Sequence, residues 1–128
     1  MITREVTLCG KQVTLAYCYA TEIAYKDLTN EDIIKYIRYA IECIQSKEDP
    51  DIKQSVFAIV ACMIAYAQSK DEEETPVTDN ELMLHMSPLE LGKAVLAIIS
   101  MRLEFYKVPD QESGEKKTEK KGKGKGKN

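Results

Sequence analysis

The sequence has 128 residues and a formal net charge of −3 at pH 7. Residues 110–128 hold seven lysines against four acidic residues, a charge of +3, which leaves −6 for residues 1–109. Because phosphate backbones are bound by lysine and arginine clustered on a folded surface, this acidic charge makes nucleic acid an unfavoured partner. Residues 1–109 have the length of one globular domain.

Cysteine usage and the N-terminal sequence indicate a cytoplasmic protein. The four cysteines are widely spaced and form no C-x-x-C pair, which favours buried thiols in a reducing compartment. They are Cys9, Cys18, Cys43 and Cys62. The N-terminus lacks the apolar segment of a secretory signal, and the longest apolar run, 56–66, is too short to span a bilayer. We therefore expect no membrane association.

Residues 2–17 predict a β-hairpin. Apolar side chains alternate along two short strands, as they do when one face of a sheet is buried. They are Val6, Leu8, Val13, Leu15 and Tyr17. We place the turn at Gly10-Lys11, since glycine at the first central position suits a primed two-residue turn. An isolated hairpin is marginally stable in water, so we expect its apolar face to pack on helices.

Three helices are predicted after the hairpin, at about 17–26, 30–46 and 50–69, from apolar residues at helical spacing. We assign Thr29 as the N-cap of the second helix, followed by acidic residues in its first turn. For the third helix we assign Asp49 as N-cap and Pro50 as the first helical residue. The third helix is apolar on most sides, so we expect it at the centre of the core.

Two further helices are predicted at 79–86 and 88–107. Thr78 with Glu81, and Ser87 with Glu90, fit the capping box that starts a helix. The fold class is therefore mainly α (α+β), with an N-terminal β-hairpin packed on a compact bundle of four to five helices in a single domain, 1–109. Residues 110–128 are rich in lysine and glycine and lack apolar side chains, so we expect a disordered tail.

No residue set in the sequence predicts catalysis. His85 is the only histidine, and the residues around it supply neither a nucleophile nor an orienting carboxylate at a recognisable spacing. One histidine and four scattered cysteines do not form a zinc-binding pattern, and glycine-rich phosphate loops are missing from the sequence. We expect no enzyme activity, no metal and no cofactor.

Four tyrosines are candidates for binding a partner protein: Tyr36, Tyr39, Tyr66 and Tyr106. Tyrosine is enriched at protein interfaces because it offers a large contact area and a hydroxyl group. The alternative is that these side chains line the edge of the core, as tyrosines often do in monomeric proteins.

Three segments carry a resemblance to a known family. The first is the hairpin followed by a helix of small residues, 6–24; the second is 58–68 with Pro76-Val77-Thr78-Asp79 after it; the third is 101–106. Together with the order of elements over 2–109, these segments resemble the tail assembly chaperones of long-tailed bacteriophages and of prophages in gut bacteria.

The resemblance implies a non-catalytic role in the host bacterial cytoplasm. Such chaperones bind the long, helix-rich tape measure protein, keep it soluble and recruit tail tube subunits. Contact by a helix in a groove is the expected mode, and homo-oligomer formation is left open. Many members are made in two lengths through a ribosomal slip, for which the lysine pairs Lys116-Lys117 and Lys120-Lys121 mark a candidate frameshift region.

Two other functions are considered. A small nucleic-acid-binding regulator or adaptor is suggested by the short helix at 79–86 followed closely by another, although the second helix has few base-reading side chains. A phage structural subunit is the third reading, because the free edge of the hairpin could pair with another copy of the chain.

Overall fold

The computed structural model describes residues 1–107, so the predicted disorder of 110–128 and the candidate frameshift lysines, Lys116, Lys117, Lys120 and Lys121, lie outside it. Two strands and five helices follow one another along the chain. They are β1 (Ile2–Leu8), β2 (Lys11–Tyr17), α1 (Tyr19–Thr29), α2 (Ile33–Gln45), α3 (Ile52–Ser69), α4 (Asp79–His85) and α5 (Pro88–Phe105). The predicted fold, a hairpin followed by five helices, is confirmed.

The hairpin turn lies one residue earlier than predicted. The antiparallel register places Leu8 opposite Lys11, so the two central residues of the turn are Cys9 and Gly10 rather than Gly10 and Lys11. Both have positive φ, 54° at Cys9 and 78° at Gly10. Positive φ at both positions defines the type I′ turn, in which glycine belongs in the second place. The prediction was wrong because glycine is accepted at either central position.

A carboxylate from a distant helix holds this turn. Glu90, in the first turn of α5, accepts the backbone N–H groups of Cys9 and Gly10 at 3.0 and 3.1 Å. It also accepts the N–H of Ser87, the N-cap of its own helix, at 3.0 Å. The N–H groups of Ser87, Gly10 and Cys9 lower the pKa of Glu90 below its ordinary value. One side chain therefore caps α5 and fastens the hairpin tip to it.

The helix α3 is central, as predicted. It contacts β2 and every other helix, while β1 lies against α5. Ten of its 18 residues are buried. Among the described residues, α3 alone is long and apolar enough to cross a membrane by length and composition, but half of it is buried inside the fold. A core helix has the same composition, so this feature does not argue for a membrane span.

The boundary between α1 and α2 differs from the prediction. The first helix begins at Tyr19 with Cys18 as N-cap, since Tyr17 belongs to β2, and it continues to Thr29. The hydroxyl of Thr29 donates to the carbonyl of Tyr25 in its own helix instead of capping α2. Asn30 then takes a left-handed conformation with φ of 66°, which ends α1.

The N-caps of α2 and α3 are likewise shifted. The second helix starts at Ile33 with Asp32 as N-cap. In α3 the N-cap is Asp51 rather than Asp49, because the Asp51 carboxylate accepts the Gln54 N–H at 3.0 Å. Pro50 therefore precedes the helix. A tertiary contact selects this position, since the Asp51 N–H donates to the Tyr39 hydroxyl of α2 at 2.7 Å.

The two predicted capping boxes are confirmed. Thr78 accepts the N–H of Glu81, whose carboxylate accepts the N–H of Thr78 in return. Ser87 and Glu90 form the same reciprocal pair at the start of α5. These caps were predictable because both partners lie within one helical turn. The helix α5 ends at Phe105, two residues before the predicted end.

Candidate interaction surface

Tyr36 is not on the surface, and its prediction as a partner-binding residue is therefore corrected. Its side chain is only 2% exposed. Its hydroxyl lies 2.7 Å from the hydroxyl of Ser55 on α3, and both groups are buried. Burial raises the pKa of Tyr36, so the phenol keeps its proton. The alternative reading, a tyrosine that belongs to the core, applies here.

The other three tyrosines occupy separate places. Tyr39 is half-buried and holds the start of α3 through its hydroxyl. Tyr66 is half-buried near the end of α3, with the Lys70 ammonium 5.5 Å from its ring centroid. Tyr106, 46% exposed, follows α5. Of these four tyrosines, Tyr36 and Tyr39 alone are in aromatic contact with each other, so the four predicted residues do not form one surface.

Tyr106 belongs to an aromatic cluster that joins the end of α5 to the start of α1. The rings of Tyr17 and Tyr19 both contact Phe105, at centroid distances of 5.6 and 5.1 Å. The hydroxyls of Tyr17 and Tyr106 donate to the same Glu22 carboxylate oxygen, at 2.9 and 2.7 Å. This acceptor raises the pKa of Tyr106. The Tyr106 hydroxyl therefore already has a partner within the chain.

An apolar groove of about 390 Å³ lies between the α2–α3 corner, α4 and the first half of α5. The groove is lined by aliphatic and thioether side chains with proline and glycine between them: Ile44, Pro50, Ile52, Leu82, Met83, Met86, Pro88, Leu91, Gly92, Val95 and Leu96. Its floor includes the buried side chains of Leu82 and Val95. We call this feature the apolar groove.

Side chains on the walls of the apolar groove are open to solvent. Ile44, Ile52, Met83 and Leu96 are each between 43% and 57% exposed. A contiguous exposed apolar surface is uncommon on a monomeric protein and marks a binding site for another molecule. Methionine adapts its shape to different partners, which suits such a surface. The groove is therefore the strongest candidate for a functional site in the part of the chain that the structure describes.

Among residues 1–107, the charged side chains that line the apolar groove are both acidic. Glu48 and Asp49 lie at its end near the α2–α3 corner, in the connection that precedes α3. Neither carboxylate has an ion-pair partner among residues 1–107. The rim therefore carries two carboxylates, without an ion-pair partner in the described part of the chain, beside an apolar floor.

Three exposed leucines continue the apolar surface along α5. Leu89, Leu96 and Leu103 are 54% to 68% exposed and follow one another every seven residues. A spacing of seven places side chains on one face of a helix, as at one position of a coiled-coil heptad. We call these residues the leucine row. Leu96 belongs both to the row and to the wall of the apolar groove, so the two features are continuous.

The histidine and all four cysteines lie within the described residues. His85 is exposed, and within residues 1–107 no three His, Cys, Asp or Glu side chains lie close enough together to hold a metal ion. All four cysteines are free thiols. Cys43 and Cys62 are buried as predicted, whereas Cys9 and Cys18 are half-buried, which corrects the prediction for those two. Burial raises the pKa of Cys9 and Cys62, which keeps both thiols protonated.

Comparisons with protein-family models, with curated proteins and with solved structures find no match to this chain. The fold and the site therefore define the class only as a mainly helical domain with an exposed apolar groove. The apolar groove was not predicted, because residues from α2, α3, α4 and α5 build it together. The leucine row is visible in the sequence as three leucines at a spacing of seven, a signal that the predictions for α5 did not use.

Proposed function

We propose that this protein is a non-catalytic tail assembly chaperone, which binds and solubilises a phage tape measure protein and helps to recruit tail tube subunits in the bacterial cytoplasm. Two lines of support exist. One is the sequence resemblance over 2–109, and the other is an apolar surface suited to a helical partner.

The continuity of the apolar groove with the leucine row carries the proposal. From Leu89 to Leu103 the row extends for about 21 Å, at 1.5 Å per residue. A helix that presents apolar side chains every three or four residues matches a surface of this length, as in other helix-in-groove complexes. Tape measure proteins are long and helix-rich, so they expose such stripes before assembly.

The charge of the domain suits the same role. Residues 1–107 carry a net charge of −6, because residues 108 and 109 are uncharged. Acidic domains bound along an apolar helix make the complex more negatively charged, and repulsion between the charged complexes opposes their aggregation. The acidic charge also disfavours the regulator reading. The exposed face of α5 disfavours it as well, since it presents leucines where a recognition helix presents base-reading side chains.

Co-expression with the long helical protein encoded in the same gene cluster tests the proposal. We expect the partner to be insoluble alone, and to be soluble and co-purify when this chain is present. The double variant Leu89→Asp/Leu103→Asp should lose this effect. The matched control Ile23→Asp/Leu28→Asp changes two exposed residues of α1 and should retain it.

The outcomes separate the proposed functions. A partner that aggregates equally with and without this chain would refute the chaperone role. Ordered polymers of this chain alone, seen by size-exclusion chromatography and electron microscopy, would favour the structural-subunit reading instead.

A further inference from the structure

We infer that the apolar groove binds an amphipathic helix whose apolar stripe is bordered by lysine or arginine at the end that lies against Glu48 and Asp49. This inference rests on the proposed function and deepens it, because it specifies the chemistry of the partner segment and the place where that segment binds.

The shape of the groove selects a helix over a compact small molecule. The groove is open to solvent and continues through Leu96 into the leucine row. Eleven of its fourteen lining residues are apolar. A small-molecule site encloses most of the surface of its ligand, whereas this groove leaves one side open along its length. An amphipathic helix fits these features, because it is elongated, has an apolar face and forms its backbone hydrogen bonds internally.

The charges at the rim select a basic helix. Glu48 and Asp49 are exposed and have no ion-pair partner in the described part of the chain. A partner carboxylate placed beside them would be repelled, and a partner ammonium or guanidinium group would be attracted. Lys93 borders the leucine row and does not line the apolar groove. Lys47 and Lys53 flank the two carboxylates in the sequence, but they neither line the groove nor form an ion pair with them within residues 1–107.

Two other occupants fit less well. Residues 110–128 of this chain have the required lysines, but they contain no apolar side chain to fill the groove. Residues 1–107 of a second copy would bring a charge of −6 to an acidic rim. The tail therefore lacks the apolar side chains, and a second copy lacks the basic charge, that the apolar groove requires of its occupant.

Fluorescence anisotropy with two synthetic probes tests the inference on the full chain. Both are 21-residue amphipathic helices of leucine and alanine; one carries lysines beside its apolar stripe and the other carries glutamates. We expect the lysine peptide to bind about tenfold more tightly at low salt, a difference of about 1.4 kcal/mol. The preference should shrink as salt screens exposed charges. Equal affinity for both peptides would overturn the charge assignment.

Charge reversal locates the preference. Glu48→Lys/Asp49→Lys should weaken binding of the lysine peptide and strengthen binding of the glutamate peptide. Glu72→Lys/Glu73→Lys makes the same change in net charge in the loop after α3 and should have a much smaller effect. Equal effects of the two double variants would show a nonspecific response to net charge and would overturn the inference.

Substitution of the walls locates the apolar contact. Ile52→Asp/Met83→Asp should abolish peptide binding, because both side chains are exposed on the groove walls. Ile23→Asp/Leu28→Asp is the matched control, and circular dichroism checks that both variants fold. Unchanged binding in the folded groove variant would refute the assignment. So would a wild-type dimer that the same variant converts to a monomer, since a second copy would then occupy the groove.

Failure of the proposed function gives a different pattern. If the chain binds the lysine peptide at the groove but does not keep the long helical protein soluble, the chaperone role fails and the groove assignment stands. If the partner stays soluble and the groove variants act like wild type, the chaperone role stands and the groove assignment fails.

Discussion

The buried hydroxyl pair of Tyr36 and Ser55 provides the sharpest test of the core. The two oxygen atoms lie 2.7 Å apart between α2 and α3, and no other side-chain hydrogen bond of either hydroxyl is seen among residues 1–107. Tyr36→Phe removes one hydroxyl and leaves that of Ser55 buried without a partner. Ser55→Ala does the converse. Each single variant should therefore be destabilised.

The expected magnitude follows from desolvation. A buried polar group that loses its partner costs about 1–3 kcal/mol. In the double variant Tyr36→Phe/Ser55→Ala no hydroxyl is left unpaired, so its cost should be smaller than the sum of the two single costs. We expect a coupling energy of about 1–2 kcal/mol between the two sites. For a domain near 100 residues, 1 kcal/mol shifts the melting temperature by about 4–8 °C.

Urea unfolding of the wild type, both single variants and the double variant measures this coupling energy. The midpoint should change while the slope with denaturant stays constant, which shows that the native and unfolded states are otherwise unaltered. Additive effects of the two substitutions would refute the buried pair. If folded Tyr36→Phe kept its stability but lost partner binding, the result would support the original prediction that Tyr36 contacts a partner.

Two further predictions concern Glu90 at the hairpin tip and the pair of glycines Gly10 and Gly92. Glu90→Gln should lower the melting temperature at pH 7 more than Glu81→Gln, because both carboxylates cap a helix but only Glu90 also binds the turn. Since folding lowers the pKa of Glu90, its stabilising contribution is complete above the ordinary value of 4.5 and is lost as pH falls through the lower, folded pKa. Wild type should therefore lose stability on acidification more steeply than Glu90→Gln, and parallel pH profiles would contradict the contact. Gly10→Ala should cost about 1–2 kcal/mol, because alanine is strained at positive φ. Gly92→Ala, in the interior of α5 with open space around the new methyl group, should stabilise by about 0.5–1 kcal/mol, and thermal melts of equal midpoint would contradict the difference.

The correctly predicted features depend on residues close together in the chain. The capping boxes at Thr78 and Ser87 each need a partner three residues away, and the strands need alternation over seven residues. The errors occurred where distant contacts choose between local alternatives. Asp49 and Asp51 are both acceptable N-caps, and the Tyr39 hydroxyl of another helix selects Asp51.

The site was less predictable than the fold. Tyr36 and Tyr39 lie three residues apart on α2, and tyrosine is a residue type common at interfaces. Only the packing of α3 against α2 shows that Tyr36 is buried. On α5, apolar residues occur around much of the helix, so periodicity alone does not tell which of them face β1 and α3.

The sequence by itself determined the secondary structure, the central place of α3 and the acidic charge, because each follows from local patterning or composition. Only the tertiary structure decided which apolar side chains stay exposed. Burial depends on how helices from distant parts of the chain meet, and the apolar groove exists because the α2–α3 corner, α4 and α5 leave a gap between them that no element of residues 1–107 fills.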